Sequence, residues 1–399
     1  MEITKIKTNK FKTNMCALFL TVPLTKENVY KNALIASILR RGTNNIKTQE
    51  EISKKLEEMY GAGFNCGVDK IKNYHVIKFY LEMLDNDYTL NKEDILQESI
   101  NLLFDIAFNP LVEDGGFKEE YFNQEKMNLI KILNAKKDNK ALYAKDRCIE
   151  EMFKNEPYGL YKYGSIEELE SLDRKTLYDY YKRLINNCRI DLIISGDNIE
   201  NIEVPDIKSK KIEEINVSHV VPEKPLVVKE KMDVTQGKLI IGLCAPKTNK
   251  AAVSMYNTIL GGGANSKLFQ NVREKASLAY SAGSSYIRRQ NLILIQTGIE
   301  IENYEKALNI IKEQLEEMEN GNITDEEFEA AKSLIVSSVE QISESHEDTI
   351  TFYYDQRLFE ENLTVEEYLN NIKEVTKEEV IKIAKEVKMD TIYFLTKND

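Results

Sequence analysis

The sequence predicts an α+β protein built from two copies of one sandwich-like unit, and three observations carry that prediction. At 399 residues the chain exceeds what a single hydrophobic core usually organises, since cores stop growing near about 250–300 residues. Its apolar pattern switches repeatedly between continuous or alternating runs, as in strands, and 3.6-residue periodicity, as in helices. The order of these segments in the first half recurs in the second at an offset of roughly 205–225 residues.

Taken in order, an apolar run over 18–22 reads as a strand. Although apolar residues from Met15 to Leu24 follow several lysines, no small-residue cleavage site accompanies them, so this is not a signal peptide. Helices are expected over 29–40 and 49–60, the second ending at Gly61-Ala62-Gly63. An alternating strand over 75–83 and helices over 92–108 and 117–135 follow. The second half repeats the series: a strand over 238–244, helices over 251–260 and 266–280, an alternating run over 292–301, and helices over 304–320 and 324–343. Thr324-Asp325-Glu326-Glu327 and Thr364-Val365-Glu366-Glu367 carry the capping-box pattern of helix starts. Residues 198–231, rich in Lys, Glu and Pro, read as a linker able to act as a hinge. The resulting division is an N-terminal domain over 1–200, a linker over 201–230 and a C-terminal domain over 231–399.

Composition narrows the function. A net charge of −12 and an isoelectric point near 5.2 exclude a nucleic-acid binder, which needs a basic face. The acidity suits either a surface for basic peptides or simple solubility. Cys16, Cys66, Cys148, Cys188 and Cys244 are scattered, odd in number and without a C-x-x-C pair, which points to reduced thiols in a cytoplasmic protein. No run is long enough to insert in a membrane.

The most informative stretch is Gly261-Gly262-Gly263-Ala264-Asn265-Ser266-Lys267-Leu268-Phe269, continuing through Arg273-Glu274-Lys275-Ala276-Ser277-Leu278-Ala279-Tyr280. Glycines permit sharp turns and close backbone approach. On the expected 266–280 helix, Arg273 and Tyr280 stand seven residues apart and leave one face, where one grips a carbonyl or carboxylate and the other donates a hydrogen bond.

The order Gly-Gly, Ser-x-Leu-Phe, Val-Arg-Glu, Leu-Ala-Tyr-Ser resembles the C-terminal domain of the insulinase/pitrilysin metallopeptidases, the group that includes mitochondrial processing peptidase. The resemblance implies two homologous α/β-sandwich domains of the LuxS/processing-peptidase-like metallohydrolase type, forming a clamshell. It further implies that Arg273 and Tyr280 hold peptide substrate, with Gly261, Gly262 and Gly263 bordering its path. Active members bind zinc through H-x-x-E-H on the first long helix, with the Glu as general base and a later Glu as third ligand. Alignment on Arg41-Gly42-Thr43 puts Ala33-Leu34-Ile35-Ala36-Ser37 at that motif, so Ala33, Ala36 and Ser37 stand where ligands and base would be. Leu129-Ile130-Lys131-Ile132 occupies the place of the third ligand.

No alternative zinc motif is legible. Among His75, His219 and His346 no two have helical spacing; His75 reads as a half-exposed structural residue in a strand and His346 as a helix-end residue. Cys66 and Cys148 have no sequence-visible base to make them nucleophiles.

The resemblance therefore implies a catalytically incomplete subunit that holds no metal or other cofactor of its own and binds peptide for an H-x-x-E-H partner carrying zinc. Pairing is expected with that partner or with a second copy. Two alternatives stay open: a peptide- or protein-binding scaffold without proteolysis, and a self-sufficient homodimeric hydrolase with an unrecognised metal site. Phe11-Lys12-Thr13, Pro23-Leu24-Thr25-Lys26-Glu27, Leu56-Glu57-Glu58-Met59-Tyr60-Gly61-Ala62 and Asn155-Glu156-Pro157-Tyr158-Gly159-Leu160 are similar to a Firmicute branch of the family. That branch is linked to 5-aminopentanol modification of elongation factor P and is encoded with a zinc-motif partner.

Overall fold

The computed structural model describes residues 1–213, 215 and 217–398. Its strands, in chain order, are β1 (Glu2–Lys7), β2 (Thr13–Pro23), β3 (Gly63–Ile71), β4 (Tyr74–Leu84), the short β5 (Val112–Glu113) and β6 (Gly116–Phe117), and β7 (Arg189–Gly196). They continue with β8 (Leu226–Lys231), β9 (Gly237–Cys244), β10 (Ala279–Ile287), β11 (Leu292–Ile299) and β12 (Lys388–Thr396). One five-stranded sheet has the order β1-β7-β2-β4-β3 and the other β8-β12-β9-β11-β10. In each the first pair is parallel and the rest antiparallel. The duplication expected from sequence is thus a duplication of sheet topology.

Each sheet has two covered faces because its central strands are apolar on both. In β2, Asn14 through Val22 are all buried, and a strand buried on both faces needs a layer on each. One face of the first sheet packs under helices Val29–Leu39, Ile95–Phe108 and Arg174–Asn187, through residues such as Leu18, Leu34, Leu103 and Tyr181. The opposite face, with Ala17, Phe19, Val76 and Ile193, is covered by Ile350, Tyr354 and Leu358 of the His346–Leu358 helix. The second sheet repeats the scheme. Helices Lys250–Gly261, Tyr304–Glu319 and Lys377–Glu386 pack on one face, and Cys148, Ile149 and Met152 of the Lys140–Met152 helix cover Ile240, Leu294 and Tyr393 on the other.

The covering helices decide how the chain divides. One compact unit comprises Met1–Asn134, Leu160–Asn216 and Ser343–Asn362; the other comprises Ala135–Gly159, Val217–Ile342 and Leu363–Asp399. The units therefore do not follow the contiguous 1–200 and 231–399 division, because each sheet takes its second layer from the other half of the sequence. Within the stretch expected as linker, Leu226–Lys231 is an edge strand paired parallel with β12. Arg147 ties the Lys140–Met152 helix to that edge, donating to Glu230 at 3.0 Å and to Glu150 and Glu151 at 2.7 and 2.6 Å.

The expected helix starts are present. Thr324 and Glu327 exchange backbone-to-side-chain bonds at 2.9 and 3.1 Å, and Thr364 with Glu367 forms the same box.

Candidate functional site

The Arg273/Tyr280 segment is anchored by its apolar residues and by Lys267, which leaves Arg273 and Tyr280 outward. Leu268, Val272 and Leu278 are buried in the second unit's core. Lys267, 6% exposed, turns inward and donates to the Asn322 carbonyl at 2.7 Å and to Glu327 at 3.0 Å. Asn271 donates to Gln314 at 2.8 Å.

The helix does not run to Tyr280. Residues Phe269–Lys275 form a wide π-helical turn, with the Ala276 N–H reaching back to the Asn271 carbonyl at 3.3 Å. Such turns recur at functional sites. Ser277 then adopts a left-handed φ of 52°, the chain reverses, and Ala279 begins β10. Arg273 and Tyr280 consequently do not share a helix face. Arg273 sits on the π turn with its guanidinium 4.4 Å from the Phe269 ring and its Nε 3.6 Å from Glu274. Tyr280 is the extra residue of a β-bulge, since Ala279 pairs with Ile299 and Ser281 with Gly298. Bulges on edge strands re-aim a side chain, and here the residue is 83% exposed. β10 is the outer strand of its sheet, so one row of its backbone donors and acceptors faces away from β11.

The three glycines have different roles. Gly261, the last residue of its helix, is buried against β10; a Cβ there would lie 2.4 Å from the Ser284 nitrogen. Backbone on both sides makes that clash costly. Gly261→Ala is expected to lose about 1–3 kcal/mol of stability, read as a lower urea midpoint; an unchanged midpoint would show that β10 can move aside. Gly262 is exposed and Gly263 half-buried, its nearest neighbour being Leu334.

In the first unit two of the three motif positions are apolar and shielded, and the third holds a half-buried hydroxyl. Ala33 and Ala36 are buried, and the Ser37 hydroxyl donates to its own helix at the Ala33 carbonyl, 3.2 Å. Leu129 is also buried, while Ile132 is half exposed. Arg41, just after the helix, pairs with Glu125 at 2.8 Å and lies over Tyr121. None of Ala33, Ala36, Leu129 or Ile132 has a lone pair to offer a cation.

The histidines have defined partners. His75 is fully buried, not half exposed as expected. Tyr180 donates to Asn32 Oδ1 at 2.8 Å, Asn32 Nδ2 meets His75 Nδ1 at 3.0 Å, and His75 Nε2 faces the Lys162 carbonyl at 3.0 Å. Burial pushes its pKa down to about 4. His346 opens its helix, with Ser195 Oγ at 2.8 Å and the Thr13 carbonyl at 2.9 Å. Cys66 and Cys148 are buried thiols, and burial pushes Cys148 up to about 12. Both stay protonated at neutral pH and are inert as nucleophiles.

A duplicated α+β plan, with Ala33, Ala36 and Ser37 in place of the H-x-x-E-H side chains and the Gly261-to-Tyr280 segment of the metallopeptidases present, defines the class of protein. The chain belongs to the peptidase M16 family, as an inactive homologue of its metalloproteases. Residues 171–335 match the family model described as the peptidase M16 inactive domain. Over 98% of its length the chain is 34% identical to the probable inactive metalloprotease YmfF of Bacillus subtilis, covering 94% of that protein. A conserved protein from Enterococcus faecalis V583, solved by crystallography, is similar with a TM-score of 0.89 at 26% identity, over 99% of this chain and 96% of that one. A peptidase M16 inactive domain from Pseudomonas fluorescens shares the fold with a TM-score of 0.79 at 17% identity, over 100% and 96% of the two chains. The family resemblance read from the sequence is borne out.

Proposed function

We propose that this chain is the substrate-binding, catalytically incomplete subunit of a heteromeric zinc metallopeptidase, working in the cytoplasm. An extended peptide adds along the outer edge of β10 by main-chain hydrogen bonds, a recurring mode of peptide capture. Tyr280 and Arg273 then address the peptide carbonyls and stabilise the oxyanion that develops at the zinc of an H-x-x-E-H partner. The observation that carries this reading is the exposed Tyr280 at a bulge on an edge strand, in a chain whose Ala33 and Ala36 offer zinc no ligand. Among the described residues no helix is long and apolar enough to cross a membrane, and the five cysteines are free thiols, as suits a reducing compartment.

The test is cleavage of a mixed peptide library by the zinc-motif partner alone, by this chain alone, and by the two together. Cleavage in the mixture only is the expected result. Tyr280→Phe removes one hydroxyl and is expected to lower turnover of the pair about 100–1,000-fold, in the range of lost oxyanion donors, while the chains stay associated. Turnover unchanged by Tyr280→Phe would remove that hydroxyl from the mechanism. Associated, folded chains that cleave nothing would favour the scaffold reading, to which a role in elongation factor P modification belongs.

A further inference from the structure

The second unit gathers four side chains that the sequence keeps far apart. His219 comes from the segment before β8, Cys244 ends β9, Asp390 lies in β12 and Glu156 follows the Lys140–Met152 helix. His219 Nε2 is 2.9 Å from Asp390 Oδ2, and Cys244 Sγ is 3.9 Å from the same oxygen. One donor atom from each of His219, Cys244 and Asp390 lies within 4.8 Å of the others. On the far side of the ring, His219 Nδ1 is 2.5 Å from Glu156 Oε1.

We infer that His219, Cys244 and Asp390 form a binding site for a borderline-soft divalent cation of the Zn2+ class, with Glu156 orienting the imidazole. The donor set is one nitrogen, one sulfur and one oxygen, all ligand types that Zn2+ takes. Tetrahedral Zn2+ bonds would set N···O near ~3.3 Å and S···O near ~3.5 Å, so the two separations to Asp390 Oδ2 need to change by only about half an ångström. A carboxylate on the second imidazole nitrogen is the usual support for a metal-bound histidine, fixing its tautomer and ring orientation.

Local backbone structure explains the aim of the ligands. Asp390 is the extra residue of a bulge, where Met389 pairs with Leu243 and Thr391 with Gly242. The bulge turns its carboxylate toward the end of β9, and Thr391 Oγ1 donates to its other oxygen at 2.7 Å. The Phe153 ring packs 4.5 Å from the imidazole. A route in exists: His219 retains 18% side-chain exposure, and Cys244 is the one thiol of the five that is not buried. Three protein donors leave a fourth position for water or another ligand. This site belongs to a different unit from Ala33, Ala36 and Ser37, and it requires neither the peptide nor the partner of the proposed function.

The experiment titrates the metal-stripped full-length chain with Co2+ as spectroscopic probe, then adds Zn2+ as competitor. Binding of about one equivalent of Co2+ is expected, with a thiolate-to-cobalt charge-transfer band that Zn2+ abolishes. Cys244→Ser should remove the band and Cys148→Ser should keep it. Glu156→Gln should keep the band and weaken Co2+ binding about 10–100-fold. In the unsubstituted chain, Zn2+ should slow alkylation of Cys244 while leaving the four buried thiols unaffected. No band in the folded wild-type chain, a band that persists in Cys244→Ser, or Cys244 alkylation indifferent to Zn2+ would each overturn the assignment and leave the cluster an ion-pair clamp.

Discussion

Replacing Tyr354 with Ala is expected to destabilise the first unit by about 3–5 kcal/mol, the cost of removing a large buried aromatic side chain. Tyr354 is 1% exposed, its ring stacks on Phe19 with centroids 3.8 Å apart and planes within 9°, and its hydroxyl meets Thr21 Oγ1 at 2.6 Å. Tyr354→Phe keeps the ring and loses that bond, so a cost of about 1 kcal/mol is expected. Urea unfolding followed by hydrogen exchange reads both effects. Protection should fall in β2 and β7, more than 150 residues away in sequence. A loss below about 1 kcal/mol for the Ala variant would mean that the His346–Leu358 helix adds little to the sheet it covers, against the usual cost of such a cavity.

Acid is expected to weaken the same unit through His75. The folded-state pKa is near 4, below an unfolded value near 6.5, so between these values the unfolded chain binds the extra proton and stability rises with pH. The contribution of the neutral ring is fully present above about pH 6.5 and is lost as pH falls toward 4. Over that window His75 alone contributes roughly 3 kcal/mol, at 1.36 kcal/mol per unit. The cause is burial first. The Lys162 carbonyl at Nε2 partly offsets burial, while Asn32 Nδ2 donates to Nδ1 and a second ring N–H would oppose that donor. His346, also pushed down by burial, works in the same direction. Urea midpoints at pH 7 and pH 4.5 should differ strongly in the wild-type chain and less in His75→Gln. Equal pH slopes in the two proteins would exclude His75 as the titrating group.

Much of this protein was legible because its signals are local. The capping boxes at Thr324 and Thr364, the two-faced apolar run that became β2, and the helices over 29–39 and 95–108 all depend on neighbours within a few residues, and the repeat between halves is the recurrence of such local patterns. The absent zinc motif was equally legible, since H-x-x-E-H is a spacing on one helix. Edge strands were harder. β1, β3, β8 and β10 are flanked on one side only, so their sequences mix polar and apolar residues and carry a weak strand signal. For that reason the segment beyond Lys275 read as more helix, and Tyr280 was placed on a helix face instead of a bulge.

Sequence by itself determined the duplicated α+β plan, the family and the absence of an H-x-x-E-H motif, with Ala33, Ala36 and Ser37 at the positions aligned to its two ligands and its base. Only tertiary structure decided which helix covers which sheet, since amphipathic periodicity tells a helix to bury one face without naming the surface it meets. Tertiary structure also decided that His219, Cys244, Asp390 and Glu156 converge. Those residues lie on four separate elements, and what joins them is strand register together with a one-residue bulge at Asp390, features set by pairing across the sheet and absent from any local pattern.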